Sequence, residues 1–147
     1  MHVVYLFCHA REDDDTNPAS LEFDNTGFVT ASDLDYSPPW STHPLVFLNG
    51  CQTAAFSPEA LSPFVIKFVR DREAAGVIGT EAPVWERLAA EFAEVFFRNF
   101  LTGKGAGESL LLARRILLSK LNPLGLSYTL YALAELNLQA SSAAKPT

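Results

Sequence analysis

The chain has 147 residues, 48% of them hydrophobic and 19% charged, a composition that fits one globular domain with a proper core. A formal net charge of -6, with eleven Lys and Arg that nowhere form a dense run, argues against nucleic acid as a partner. No stretch approaches the roughly 18 uninterrupted apolar residues of a membrane span, and two cysteines are too few for a disulfide framework.

The N-terminus runs straight into an apolar segment, without the basic region and cleavage site of a signal peptide, so a reduced, cytoplasmic protein is expected. Residues His2 to Cys8, HVVYLFC, have strand length and end in His9. A polar stretch from Arg11 to Ser20 follows. Within it and just beyond, Asp13, Asp15, Asn17 and Asp24 fall at the spacing of a calcium loop, but Pro18 stands where that loop needs Gly and no helices flank it. It reads as an acidic surface loop. Residues 21–23 and 28–30 flank Asp24-Asn-Thr-Gly27 as a small hairpin. Ser32-Asp-Leu caps a short turn of helix that Pro38-Pro39 ends.

Leu45 to Leu48 is wholly apolar, as suits a strand buried on both faces of a parallel sheet, and Asn49-Gly50 reads as a turn that stops it. Cys51 comes at once. Ser62-Pro63 begins a helix expected to reach about Ala74, with Phe64, Val65, Phe68 and Val69 inward and Gly76 as its stop. Gly76 to Thr80 is a third buried strand. A long helix runs from about Trp85 to Leu101, its inner side marked by Leu88, Phe92, Val95, Phe96 and Phe100, and Gly103 closes it. Gly107 to Lys120 forms another, with Leu110, Leu111, Ile116 and Leu117 inward and Arg114 and Arg115 outward. Ser127 to Leu133 is a last strand, and the tail 139–147 is expected to be disordered. Strands alternating with helices give an α/β layered fold with a mainly parallel sheet.

Open α/β sheets carry their reaction sites at the carboxyl ends of the strands. Two neighbouring parallel strands ending in His9 and Cys51 would bring a base and a thiol to one edge, the minimum for nucleophilic catalysis by cysteine. A thiol ahead of a helix N-terminus is also where a thiolate is stabilised. Cys8, inside its strand, packs. His2 and His43 have no candidate partner. The aromatic residues from Phe92 to Phe100 are core. Caspases carry their cysteine in a short Gln-Ala-Cys motif with the His about 50 residues upstream; here the motif is Asn49-Gly-Cys-Gln-Thr-Ala54 and the His is His9.

In its order of elements the chain resembles the CHAT domain family, caspase-like cysteine peptidases of clan CD often joined to tetratricopeptide repeats. Cys8-His9 matches the end of its His strand and LVFLNGCQTA, residues 45–54, its nucleophile strand. GVIGT, residues 76–80, with Pro83-Val84 matches its third strand and loop. Gly103 to Arg114 matches its C-terminal helix and Tyr128 to Ala132 its closing strand. The likeness covers residues 2 to about 133, and the family's domain normally begins with further strand–helix units. It implies a caspase-like three-layer sandwich over residues 1–138 that lacks the N-terminal strands, as part of a longer domain or protein.

The resemblance implies roles as well. Cys51 would be the nucleophile that forms a thioester, and His9 would activate the thiol and protonate the leaving amine. The backbone N–H groups of Cys51 and Ala10 would form the oxyanion hole. Ala10 stands where the family has Gly, which matters if a positive φ is required. Gln52, Glu81 and Glu86 would border the substrate pocket, where the acids would favour a basic side chain before the cut; a helix N-terminus supported by Glu86 is the competing reading. The implied activity is a cysteine endopeptidase acting on protein or peptide substrates without metal or cofactor, controlled by a regulatory partner or a fused repeat domain. The alternatives are a non-catalytic interaction or signalling module, and, more weakly, another Cys–His hydrolase or transferase.

Overall fold

The computed structural model describes residues 2–11, 18–23, 27–50 and 63–138. Six strands form one sheet in the order β3-β2-β1-β4-β5-β6. They are β1 (Val3–Arg11), β2 (Ser20–Glu22), β3 (Phe28–Thr30), β4 (Leu45–Gly50), β5 (Gly76–Thr80) and β6 (Tyr128–Tyr131). The centre, β1-β4-β5, is parallel, with Val3 opposite Leu45 and Leu45 opposite Gly76. The flanks are antiparallel: β2 and β3 form the expected hairpin beside β1, and β6 lies against β5. The sheet is thus mixed, with a parallel core that sends the carboxyl ends of β1, β4 and β5 to one edge.

All six residues of β4 are buried, as an apolar run in a central strand requires. Its period of two divides them between two cores. Leu45 and Phe47, with Ile78 of β5, join one core with helices α2 (Glu86–Phe100) and α3 (Ala106–Ser119). Val46, Leu48 and Val77 join the other, with Phe64 and Phe68 from the far face of the sheet and with Cys8, Ala10 and Leu21. Described residues 63–71 belong to α1. The result is the three-layer arrangement expected, helix on both faces of a sheet.

The α2 side is the richer core. Phe47 touches the rings of Tyr5, Phe96, Phe97 and Tyr128 at centroid distances of 5.3–6.0 Å. Phe92 stacks on Tyr128 at 3.7 Å. Each such buried ring is worth about 1.5–3 kcal/mol by apolar burial alone, so this cluster fixes how α2 lies on the strands. All five inward residues expected of α2 are buried. Gly103 ends the region with φ +92, a conformation that glycine accepts without steric cost.

Several expectations need correction. Asn49 and Gly50 do not make a turn; both are paired strand residues, because the ladder with β1 continues through Cys8 opposite Gly50. Likewise β1 runs on through His9 to Arg11, drawn out by its pairing with β2. Helix α1 ends at Asp71, not Ala74. Its last turn, Lys67–Asp71, is a π-helix, and this wider turn leaves Val69 41% exposed while Phe68 stays buried. Glu73, with φ 56, reverses the chain there, so Gly76 does not stop the helix; it opens β5, the third buried strand, as expected.

On α3, Leu111 and Ile116 are exposed. The small residues Ala106, Ser109 and Ala113 join Leu110 and Leu117 on the buried face, which lets α3 approach closely. Arg114 is not simply outward either: its guanidinium donates to the carbonyls of Leu126 and Tyr128. The last strand is shorter than expected, ending at Tyr131. No helix among the described residues is long and apolar enough to cross a membrane. The acidic stretch 12–17, Asp24, Cys51 with the segment to Ser62, and the tail from Gln139 lie outside the described residues.

Candidate active site

The edge formed by the carboxyl ends of β1, β4 and β5 is where sequence and topology converge. His9 sits there on β1, half-buried, opposite Glu22 of β2. By strand alternation it shares the side of Tyr5 and Phe7, and Tyr5 packs on Phe47 and Phe97 of the α2 core. Cys51 and Gln52 lie outside the described residues. What is described is the scaffold on either side. Gly50, bonded to Cys51, is the register partner of Cys8, bonded to His9.

The phase of the ladder also fixes the backbone of Ala10. Leu45 donates its N–H to the His2 carbonyl at 2.9 Å. In a parallel ladder this directs the amides of the even-numbered residues of β1 towards β4 and those of the odd-numbered residues towards β2. The His9 and Arg11 backbone groups therefore face Glu22 and Ser20, while the Ala10 N–H projects on the β4 side, one pair beyond Cys8 and Gly50. Ala10 is extended strand, and its methyl group is buried in the second core. A position inside β1 has no need of the positive φ that would demand glycine.

Glu81 and Glu86 stand at opposite ends of the loop after β5. Glu81 is held twice: its N–H donates to the Ser127 carbonyl at 2.8 Å, and its carboxylate accepts from the Tyr131 hydroxyl at 3.2 Å. Burial, then the bond to this carboxylate, raises the Tyr131 phenol above its ordinary pKa. Glu86 is the exposed first residue of α2, where the helix dipole favours a negative charge. The helix-supporting reading suffices for Glu86, whereas Glu81 is a fixed acid at the carboxyl edge of the sheet. Among the described residues no three His, Cys, Asp or Glu side chains assemble as a metal site.

Sequence reasoning missed Asn49. Its side chain is fully buried at the end of β4. Nδ2 donates to the Ala89 carbonyl at 2.9 Å and to the Tyr5 hydroxyl at 2.7 Å, and Oδ1 accepts from the Tyr128 hydroxyl at 2.6 Å. The available signal was an amide closing an unbroken apolar run, but the Asn-Gly pair read as a turn.

The comparisons with known proteins bear on the same stretch. The CHAT domain model matches residues 1–137. A protein of Vitiosangium sp. (strain GDMCC 1.1324) named as a probable protease is 39% identical over 148 residues, a match that takes in 93% of this chain. The chain spans 19% of that relative's length.

Proposed function

The chain belongs to the CHAT domain family, and from that premise we propose that it carries the catalytic centre of a caspase-like cysteine endopeptidase, with Cys51 as nucleophile and His9 as its acid–base partner. The observation that carries this reading is the register of β1 on β4. Cys8 opposite Gly50 puts the residues bonded to His9 and to Cys51 side by side at the carboxyl edge. The relative's name, probable protease, agrees with it.

In the proposed reaction the Cys51 thiol gives its proton to His9 as sulfur attacks the scissile carbonyl. The tetrahedral oxyanion would be held by the N–H groups of Cys51 and Ala10. Collapse expels the amine, which takes the proton from the His9 imidazolium, and leaves a thioester on Cys51. Water, deprotonated by His9, then attacks the thioester; the carboxylic acid leaves and the thiol is restored. No metal or cofactor takes part. Gln52 and Glu81, with Glu86 further out, would line the pocket, and Glu81 would favour a basic residue before the cut. Restraint by a regulatory partner or an attached repeat domain belongs to the same proposal.

The test is cleavage of a mixed peptide library by the whole protein and by its Cys51→Ala variant. Loss of all cleavage in a folded variant is expected. Cleavage retained by Cys51→Ala would sink the assignment. A partner captured equally by wild type and by the Cys51→Ala, His9→Ala double variant, with no proteolysis by either, would instead favour the non-catalytic module.

A further inference from the structure

We propose that Asn49 is a positioning residue for the proposed dyad, whose buried amide ties the carboxyl end of β4, two residues before Cys51 in the sequence, to β1, α2 and β6; this rests on the reading of Cys51 as the nucleophile. One residue, Gly50, separates Asn49 from Cys51, and glycine has no side chain with which to hold its own direction. Orientation must come from outside. Pairing with Cys8 supplies one constraint. The Asn49 amide supplies another, because its three bonds reach three different elements: Tyr5 of β1, Ala89 of α2 and Tyr128 of β6.

The amide is oriented without ambiguity. The Ala89 carbonyl can only accept, so Nδ2 faces α2 and Oδ1 faces the Tyr128 hydroxyl. Tyr128 is itself immobilised, fully buried and stacked on Phe92. The clamp is thus rigid on its far side as well as at β4.

Packing alone does not call for an amide here. The four residues before it are apolar and fully buried, and another aliphatic side chain would continue that run. Such a residue would leave the Tyr128 hydroxyl without this acceptor in a buried site, so the polar set works as a unit. A fully connected buried network gives up some apolar contact and gains a single defined geometry. A strand end beside a reacting thiol is where a defined geometry is useful, since a displacement of about 1 Å can cost on the order of 100-fold in rate.

The experiment measures coupling between Cys51 and His9 rather than stability. Iodoacetamide labels the whole protein, and the rate at Cys51 is resolved from that at Cys8 by mass spectrometry. The ratio of the Cys51 rates with and without His9→Ala is then determined in three backgrounds: wild type, Tyr128→Phe and Leu117→Val. Tyr128→Phe keeps the ring stacked on Phe92 and removes only the hydroxyl donor to Asn49. Leu117→Val trims the same core without touching the amide. A ratio on the order of ten in wild type that collapses towards one in Tyr128→Phe, and stays in Leu117→Val, is the expected result. A ratio unchanged in Tyr128→Phe, or lost equally in Leu117→Val, overturns the positioning role while leaving the dyad standing. A wild-type ratio near one removes the dyad and the inference with it. Asn49→Ala should act as Tyr128→Phe does, and more strongly, but the conclusion does not depend on its folding.

Discussion

Cys8 stands directly opposite Gly50 in the parallel ladder, with its own side chain turned into the second core. The burial agrees with the sequence reading of Cys8 as a packing residue inside its strand. Cys8 is 3% exposed, and its Sγ lies 4.0 Å from the Leu6 carbonyl, so it packs as a small apolar group. Iodoacetamide should therefore label Cys51 and leave Cys8 unmodified until the protein unfolds. Labelling of Cys8 as fast as Cys51 under native conditions would contradict this burial. In peptide cleavage, His9→Ala should lower kcat by about 100- to 10,000-fold, the usual worth of a general acid–base group.

Glu81 supports a sharper prediction about substrate. Its carboxylate is anchored by Tyr131 rather than left to swing. In a peptide library, Glu81→Gln should lower kcat/KM about tenfold for peptides with Lys or Arg before the cut and leave neutral peptides unchanged. Added salt should erode the same preference, since the charge is exposed. The contact itself is checked by titrating Tyr131. Burial is the first cause of its raised pKa and Glu81 the second, so Glu81→Gln should bring the phenolate midpoint only part of the way back towards 10.0. An unmoved midpoint would mean that the two side chains do not meet in solution.

The turn after β3 adds a small acid-sensitive contribution to stability. Asp33 accepts from the Thr30 hydroxyl at 2.6 Å and from the Thr30 N–H at 2.8 Å, and these bonds lower its pKa below the ordinary aspartate value of 3.8. A carboxyl whose folded pKa is depressed stabilises the fold above its unfolded value, and that contribution is lost as the pH falls through the folded one. Asp33→Asn should thus cost a little stability near neutrality and nothing well below the unfolded value of 3.8. Urea midpoints for both proteins at about pH 6 and about pH 2 would test the sign. A gap that widened on acidification would refute it.

Much of this fold was legible because the signals were local and agreed with one another. The period of α2, the five buried residues of β5 and the hairpin around Gly27 each follow from pattern and turn chemistry. Misreadings came where a distant partner decided the outcome. Asn49 and Gly50 have the composition of a turn, but pairing with Phe7 and Cys8 keeps them in the strand. Leu111 and Ile116 lie at helical spacing from buried residues, yet Ala106, Ser109 and Ala113 form the face that packs. The role of Tyr128 could not be read locally, since its partner Asn49 lies 79 residues away. For the site, His9 and Ala10 could be placed because β1 is a ladder of known phase, which is a property of pairing and not of composition.

The aromatic cluster predicts where stability is concentrated. Phe92 is fully buried and stacks on Tyr128 with the rings 6° from parallel. Phe92→Ala should cost about 3–5 kcal/mol, the usual cost of emptying a buried phenylalanine site, since the Tyr128 ring stacked on it is itself buried on β6. The cavity would also free the Tyr128 ring, so the same variant should loosen the Asn49 clamp. Guanidinium denaturation gives the first quantity. A loss below about 1 kcal/mol would show that the cluster relaxes freely, contrary to the close packing described.

The contact between β5 and the segment after β6 yields the most discriminating steric prediction. A methyl group on Gly76 would stand 2.2 Å from the Ala132 Cβ and 3.1 Å from the Tyr131 carbonyl oxygen. The conflict is purely one of space, because the φ of Gly76 is not in the left-handed region. Neither obstacle is the flexible end of a long side chain: one is a methyl group fixed to its backbone, the other a backbone atom. Gly76→Ala should therefore destabilise by about 1–3 kcal/mol, as overpacking does. If the Ala132 methyl is the main obstacle, Gly76→Ala with Ala132→Gly should recover more than half of that loss. The backbone there would still carry the entropic cost of the new glycine, about 0.5–1 kcal/mol. Recovery in the double variant, measured by urea midpoints with unchanged slope, separates this contact from a general intolerance of β5 to side chains. Equal stability of the single and double variants would mean that the Tyr131 carbonyl, rather than Ala132, sets the limit.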